Sequence, residues 1–200
     1  MARSAGWPRL GRRFQEALTY ACRLHRGQYR KRTRIPYVAH LLAVAGLVLE
    51  YGGDEDLAIA ALLHDAVEDQ GGRKTLAQIR KRFGDSVAKT VEECSDRLTV
   101  RKPPWQERKR AYLAHLRTVS GGALLVSLAD KVQNAAAIVK DQSRIGDRVW
   151  LRFGGGKRLT LWYYRSLVEA FRQTSAPTDL VEELARLVSR MHTLAKRPGR

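Results

Sequence analysis

Apolar residues recur at a spacing near 3.6 along almost the whole chain, and no segment alternates with period two for long enough to make a strand. This regularity confines the protein to an all-α fold in which each helix turns one stripe toward a shared core. The expected architecture is a single bundle of about eight to ten helices. Phe14 to Gly27 is the first, with Leu18, Ala21, Cys22 and His25 on one side, followed by a basic loop from Gly27 to Pro36. Val38 to Tyr51 is the second, its apolar face built from Leu41, Leu42, Ala45 and Leu49, and Gly52-Gly53 ends it. Asp54 caps a third, which carries Leu57, Ala60, Ala61 and His64 and runs to Gln70-Gly71-Gly72.

Shorter helices at Thr75 to Phe83 and Asp85 to about Leu98 precede a break at Arg101 to Pro104. Trp105 to Thr118 is a charged helix and Ala123 to Lys140 an apolar, alanine-rich one. Asp141 to Lys157, with Gly146 and Gly154-Gly155-Gly156, reads as a mobile loop holding a short helical piece, and whether the glycine run forms a lid is left open. Leu159 to Thr174 and Thr178 to Lys196 complete the set, with 197–200 as a frayed tail.

A length of 200 residues suits one domain, 1–200, with a proper core. No uninterrupted apolar run approaches the roughly 18–20 residues of a membrane span. The basic start, Met1 to Arg13, is not followed by an apolar signal core, so the expected compartment is the cytoplasm. Cys22 and Cys94 stand too isolated for a disulfide framework or a thiolate zinc site, and read as partly buried thiols. The net charge of +17 favours anionic partners: nucleotides, nucleic acid or an acidic surface. Arginine dominates that charge, and its fork suits phosphate.

His64-Asp65 interrupts the apolar run from Ala58 to Val67, where a carboxylate is costly to bury unless paired or bound to a cation. Neighbours on a helix lie about 100° apart, which suits two adjacent vertices of one coordination sphere. Glu68 and Asp69 follow one turn later on the same faces. His40 opens an apolar helix and Asp130 sits inside another, in Ser127-Leu128-Ala129-Asp130-Lys131. A core or cap histidine at His40, and pairing of Asp130 with Lys131 or Arg144, are the ordinary alternatives. Beside His64-Asp65 the two together point to one site.

The order His40, His64-Asp65, Asp130 resembles the metal pattern of the HD-domain phosphohydrolases, and especially the hydrolase domain of RelA/SpoT-type enzymes and their small single-domain relatives. His25-Arg26-Gly27-Gln28-Tyr29-Arg30-Lys31 with Pro36-Tyr37-Val38-Ala39-His40 is similar to that family's opening motif. Ala60 to Asp69 resembles its second, and Leu128-Ala129-Asp130-Lys131-Val132-Gln133-Asn134 its later one. The resemblance covers roughly residues 14–175.

It implies that His40, His64, Asp65 and Asp130 hold one divalent ion, typically Mn²⁺. Glu68 and Asp69 would orient and deprotonate the attacking water. Arg30 and Lys31 match the basic pair that meets substrate phosphate, Asn134 a nucleotide contact, and Tyr163 the tyrosine near the ribose, with Tyr164 the competing register. The implied reaction is removal of the 3′-pyrophosphate of guanosine tetra- or pentaphosphate. The chain departs from the pattern at Leu41, where the family has Pro, and at Leu98, which stands in place of a substrate lysine. With no room for a synthetase domain, the expectation is degradation only.

Other readings keep the same residues. One is an HD phosphohydrolase for another nucleotide, such as a deoxynucleoside phosphate or a phosphorylated dinucleotide cofactor. Another is a non-enzymatic nucleic-acid-binding protein, against which the Glu68-Asp69 pair argues, since carboxylates repel bound phosphate. The basic residues Arg101, Lys102, Arg108, Lys109 and Arg110 around Trp105 read first as a solvated face, with a phosphate-facing or nucleic-acid patch as the alternative. Trp162, Tyr163 and Tyr164 read as core aromatics, with a base-stacking platform as the alternative. His115 reads as packing or capping, and His25 as support for the site.

Overall fold

The computed structural model describes residues 9–95 and 103–196. Among these residues the chain forms ten α-helices: α1 Arg12–Leu24, α2 Val38–Glu50, α3 Glu55–Leu63, α4 Ala66–Asp69, α5 Gly72–Phe83, α6 Asp85–Cys94, α7 Trp105–His115, α8 Gly121–Ile145, α9 Gly156–Phe171 and α10 Thr178–Ala195. A 3-10 helix, Gly146–Arg152, joins α8 to α9. The described residues hold no strand beyond one isolated antiparallel bridge, Tyr29 to Pro36, which pins the basic loop into a hairpin.

The centre is α8, which packs against α2, α3, α6 and α10. Its sequence explains that position. Ser120 caps the N-terminus, accepting from the Ala123 N–H, and from Ala123 to Ala129 every residue is buried. A helix apolar on all sides belongs in the middle of a bundle. Gly121–Arg152 also contains a window long and apolar enough, by length and composition, to cross a membrane (mean hydropathy 1.2), which counting uninterrupted runs had not shown. Within the fold 67% of that window is buried, so core packing accounts for its character.

Around α8, Leu41 of α2, Ile59, Leu62 and Leu63 of α3, Leu167 and Phe171 of α9, and Leu184 and Met191 of α10 are fully enclosed. Burying a side chain of this size contributes roughly 1.5–3 kcal/mol. Leu41, where the related family carries Pro, is thus a core residue here. Gly53 turns the chain between α2 and α3; a Cβ there would fall 2.4 Å from Val48 Cγ1, so the tight approach requires glycine.

Four expectations are corrected. The third helix does not run through to Gln70: α3 stops at Leu63, and Asp65, with φ −92° and ψ −6°, separates it from the single turn α4. The helical chain is therefore broken at the two residues that carry the chemistry, and Glu68 and Asp69 do not continue the α3 face. Second, Asp141 to Lys157 is not a loose loop. Residues 141–145 prolong α8, and the following 3-10 helix buries Val149 and Trp150. Gly154 and Gly155 lie against Trp105 as a packed wall. Third, Cys22 is exposed on α1, whereas Cys94 is partly covered. Fourth, of the two readings of the basic residues around Trp105, the solvated face fails for Lys109 on α7, which lines the interior cleft described below. Residues 96–102, with the expected Leu98 end of α6, Arg101 and Lys102, lie outside the described residues, as do Met1 to Pro8 and 197–200.

Candidate metal centre and nucleotide cleft

Three elements deliver the metal-type side chains. His40 comes from the first turn of α2, His64 and Asp65 from the break after α3, and Asp130 from the middle of α8. His40 Nε2 lies 3.2 Å from Asp130 Oδ1 and 3.7 Å from Asp65 Oδ2. His64 Nε2 lies 3.0 Å from Asp65 Oδ2 and 3.7 Å from Asp130 Oδ1. One donor atom each from His40, His64 and Asp65 falls within 4.8 Å of the others. Both Nε2 atoms are buried, yet neither has a hydrogen-bond partner in acceptable geometry.

Two imidazole nitrogens and two carboxylate oxygens that converge on one point, 3.0–3.7 Å apart, fit a divalent cation. The ring orientation agrees. His64 Nδ1 lies 2.8 Å from the Ala61 carbonyl, so that nitrogen carries the proton as donor and Nε2 faces the carboxylates.

The carboxylates are steered in turn. The Tyr37 hydroxyl donates to Asp65 Oδ2 at 2.5 Å. Asp130 Oδ1 accepts from Asn134 Nδ2, and Oδ2 from Lys131 Nζ, each at 2.5 Å. Asp130 thus does pair with Lys131, while its other oxygen faces the histidines. Burial by itself would raise the Asp65 and Asp130 pKa values. The His64 charge beside Asp65, and Lys131 beside Asp130, together with both histidines, hold the two carboxyls well below the usual range. Burial would also depress His64, but the Asp65 and Asp130 carboxylates outweigh it and keep the imidazole protonated well above its ordinary range. The cluster's negative field is what a cation would replace that proton to meet.

The flanking residues divide. Glu68 lines the cavity over this cluster, about 190 Å³ in volume, together with Lys109 and Lys131. Asp69 is not among the residues lining it. Its Oδ2 accepts from Gln28 Nε2 at 2.7 Å, and Gln28 in turn meets His25 Nδ1 and Gln70. Burial raises the Asp69 pKa, with the Gln28 hydrogen bond opposing and nearby Asp65 reinforcing the rise. His25 stacks on Tyr37, ring centroids 5.2 Å apart, and so backs the tyrosine that holds Asp65.

A second cleft of about 310 Å³ adjoins the first, and the two share Tyr37, Lys109, Lys131 and Asn134. All four residues expected to meet substrate line it: Arg30 and Lys31 from the hairpin, Asn134 from α8 and Tyr163 from α9. Arg30 Nη2 donates to Asn134 Oδ1 at 2.8 Å, so the basic loop is tied to Asp130 through Asn134. Trp105 meets Tyr163 edge-on, and Tyr164 lines the cleft as well, so both tyrosine registers fall in it. Sequence reasoning missed the roles of Tyr37 and Lys109. Tyr37 stands three residues before His40 in the opening motif, a signal that was there to be used. Nothing in the local sequence separates Lys109 from Arg108 and Arg110.

A helical bundle with a His/His/Asp/Asp cluster at a helix break and a phosphate-sized cavity above it is the arrangement of a phosphohydrolase domain. Residues 17–160 match the HD domain family model, and the chain belongs to that family. The guanosine-3′,5′-bis(diphosphate) 3′-pyrophosphohydrolase MESH1 of Xenopus tropicalis is 39% identical over 138 residues, covering 68% of this chain and 72% of that protein. The Homo sapiens protein of the same name is 38% identical over 138 residues, with the same coverage of 68% and 72%. A guanosine-3′,5′-bis(diphosphate) 3′-pyrophosphohydrolase of Aquifex aeolicus is 31% identical over 132 residues, 66% of this chain but 18% of that longer protein. Among solved structures, a metazoan ortholog of SpoT described as hydrolysing ppGpp superposes with a TM-score of 0.75 at 29% identity, covering 93% of this chain and 98% of that one. A protein of Listeria monocytogenes EGD-e gives a TM-score of 0.66 at 31% identity, covering 79% and 99%.

Proposed function

We propose that this protein hydrolyses guanosine 3′,5′-bis(diphosphate) to guanosine 5′-diphosphate and pyrophosphate. The observation that carries the reading is the junction of the two cavities. One presents the metal-type cluster, and the other is an aromatic-walled cleft with a basic rim, large enough for a nucleoside. His40, His64, Asp65 and Asp130 hold a divalent cation, which we take to be Mn²⁺ from the mixed nitrogen and oxygen donors. When bound, the ion supplies Lewis-acid polarisation of phosphate oxygens and acidifies water.

The chain's own groups do the rest. Arg30 and Lys31 draw in the diphosphates, Asn134 orients the nucleotide, and Tyr163 packs against the ribose. Lys109 and Lys131, at the junction, neutralise charge on the pyrophosphoryl group as it passes to water. Glu68 accepts the proton of the attacking water, and Asp69, held by Gln28, tunes the field around it. The water oxygen bonds to the 3′ phosphorus as the O3′–P bond breaks; O3′ takes up the proton that Glu68 received, and pyrophosphate is released carrying the water oxygen. The unpaired thiols Cys22 and Cys94 accord with a reducing compartment, and the cytoplasm is the one we propose.

The test is to strip the protein with chelator, restore Mn²⁺, and incubate with guanosine tetraphosphate, separating products by anion exchange beside an Asp65→Ala control. GDP and pyrophosphate, absent in chelator and in the variant, are expected. Bound metal with no turnover would remove this substrate, and no bound metal would remove the site.

A further inference from the structure

Three polar side chains of the larger cleft, Asp141, Arg152 and Thr160, take no part in the roles assigned above. Asp141 and Arg152 form an ion pair there, Arg152 Nη1 donating to Asp141 Oδ2, with both side chains largely covered, 19% and 17% exposed. Thr160 lines the same cleft, is 1% exposed, and its hydroxyl has no hydrogen-bond partner. A buried hydroxyl without a partner in a cavity wall costs stability unless something fills it. The same cleft is lined by the apolar side chains of Ile138, Val149 and Phe153 and by the Tyr164 ring.

Position along α8 gives the scale. Asp130, Asn134, Ile138 and Asp141 follow one another at spacings of three and four, so they share a face of one helix. At about 1.5 Å per residue, Asp141 lies about 16 Å along the axis from Asp130. A nucleotide with its 3′-diphosphate over Asp130 and its sugar near Asn134 would bring the outer edge of its base toward Asp141.

We propose that Asp141, Arg152 and Thr160 read the Watson–Crick edge of guanine, and so select guanosine over adenosine nucleotides. The inference rests on the phosphohydrolase reading for the orientation of the nucleotide. Guanine offers two donors, N1–H and N2–H₂, beside one acceptor, O6. The Asp141 carboxylate is acceptor-only, and its Oδ1 is left by Arg152 to receive those donors. The further guanidinium N–H groups of Arg152 and the Thr160 hydroxyl supply donors for O6 and N7. Adenine reverses the pattern: its unprotonated N1 would face a carboxylate and its amino group a guanidinium. A site that buries charged partners rejects the analogue that leaves them unpaired. The ion pair also keeps the carboxylate in place in the empty cleft.

The experiment is calorimetric titration of the Mn²⁺-loaded protein with GDP, ADP and xanthosine 5′-diphosphate, run beside hydrolysis of guanosine tetraphosphate. GDP is expected to bind tighter than ADP by roughly 10- to 100-fold, the worth of charge-assisted hydrogen bonds. In Asp141→Asn the acceptor facing C2 becomes a donor. GDP should weaken by a similar factor while xanthosine diphosphate, with oxygen at C2, gains, an exchange that a merely structural role would not produce. Thr160→Val keeps the shape and should weaken GDP several-fold, which serves if Asp141→Asn misfolds. Equal binding of GDP and ADP by the wild type, or no binding of either, would overturn the inference. GDP selectivity without hydrolysis would uphold it while removing the proposed reaction, and hydrolysis without selectivity would do the reverse.

Discussion

The hydroxyl of Tyr37 donates to Asp65 Oδ2 across the gap between the basic hairpin and the break after α3, at 2.5 Å. It fixes the carboxylate that both buried imidazoles face. Removing such an outer partner of a metal ligand costs roughly 10–100-fold in metal affinity. Tyr37→Phe should therefore bind Mn²⁺ that much more weakly, by titration against a competing chelator, and recover activity at high metal. Unchanged affinity would show that Asp65 needs no support.

Metal removal should lower thermal stability. A cation held only by the folded state stabilises by about 2.7 kcal/mol at 100 times its Kd. For a chain of this size each kcal/mol shifts the melting temperature by roughly 2–4 °C. Chelation is thus expected to lower the melting temperature by about 5–10 °C in the wild type and by nothing in an Asp65→Ala, His64→Ala double variant. Differential scanning calorimetry decides, and an equal shift in both would place the ion elsewhere.

Arg30 is tied through Asn134 to Asp130, and its proposed second role is to meet substrate phosphate. Hydrogen bonds to charged groups contribute about 1.5–3 kcal/mol, so Arg30→Met should lower kcat/KM by roughly 10–100-fold. Most of the loss should appear in KM. A pure kcat effect would mean that its role is confined to holding Asn134.

The thiol of Cys94 is pushed up to about 11 by burial, with a partly opposing hydrogen bond from Ser127. The ordinary thiol value is 9.0. Because the folded pKa is the higher, the contribution to stability is complete below pH 9 and is lost as pH rises toward 11. Urea unfolding should therefore weaken over that window more in the wild type than in Cys94→Ala. At pH 8 a thiol reagent should take exposed Cys22 rapidly and Cys94 slowly; two equally fast thiols would contradict the buried environment.

Gly155 packs behind Trp105, which lines the larger cleft. A Cβ there would lie 2.9 Å from Trp105 Cζ3 and 2.9 Å from Leu159 Cβ. Overpacking of this kind costs typically about 1–3 kcal/mol. Gly155→Ala should lower the melting temperature, alter tryptophan fluorescence and raise KM through displaced Trp105. A variant with wild-type fluorescence would mean that the wall yields without moving the indole.

The sequence by itself determined the all-helical class and the place of most helices, and it singled out four residues that the structure brings into one cluster. Those follow from local chemistry: a 3.6 spacing, a cap such as Asp54, and charges such as Asp65 and Asp130 set where burial must be compensated. Arg30, Lys31, Asn134 and Tyr163 were legible through resemblance, and all four line one cleft.

Only tertiary structure decided the rest. The break between Leu63 and Ala66 interrupts a run whose apolar spacing continues unbroken, and no local signal announces it. Glu68 and Asp69, adjacent in sequence, part company because the single turn α4 directs one to the cavity and the other to Gln28. The stretch from Asp141 to Gly156 looked loose because glycines mark it, yet it is held by burial of Val149 and Trp150 and by contacts with Trp105, far away in sequence. Lys109 gains its place from where α7 meets α9, and Tyr37 from the turn that joins the hairpin to α2. Helix periodicity specifies which face turns inward; which residues from separate helices then share one cavity depends on how those faces pack together, and that is a property of the assembled bundle.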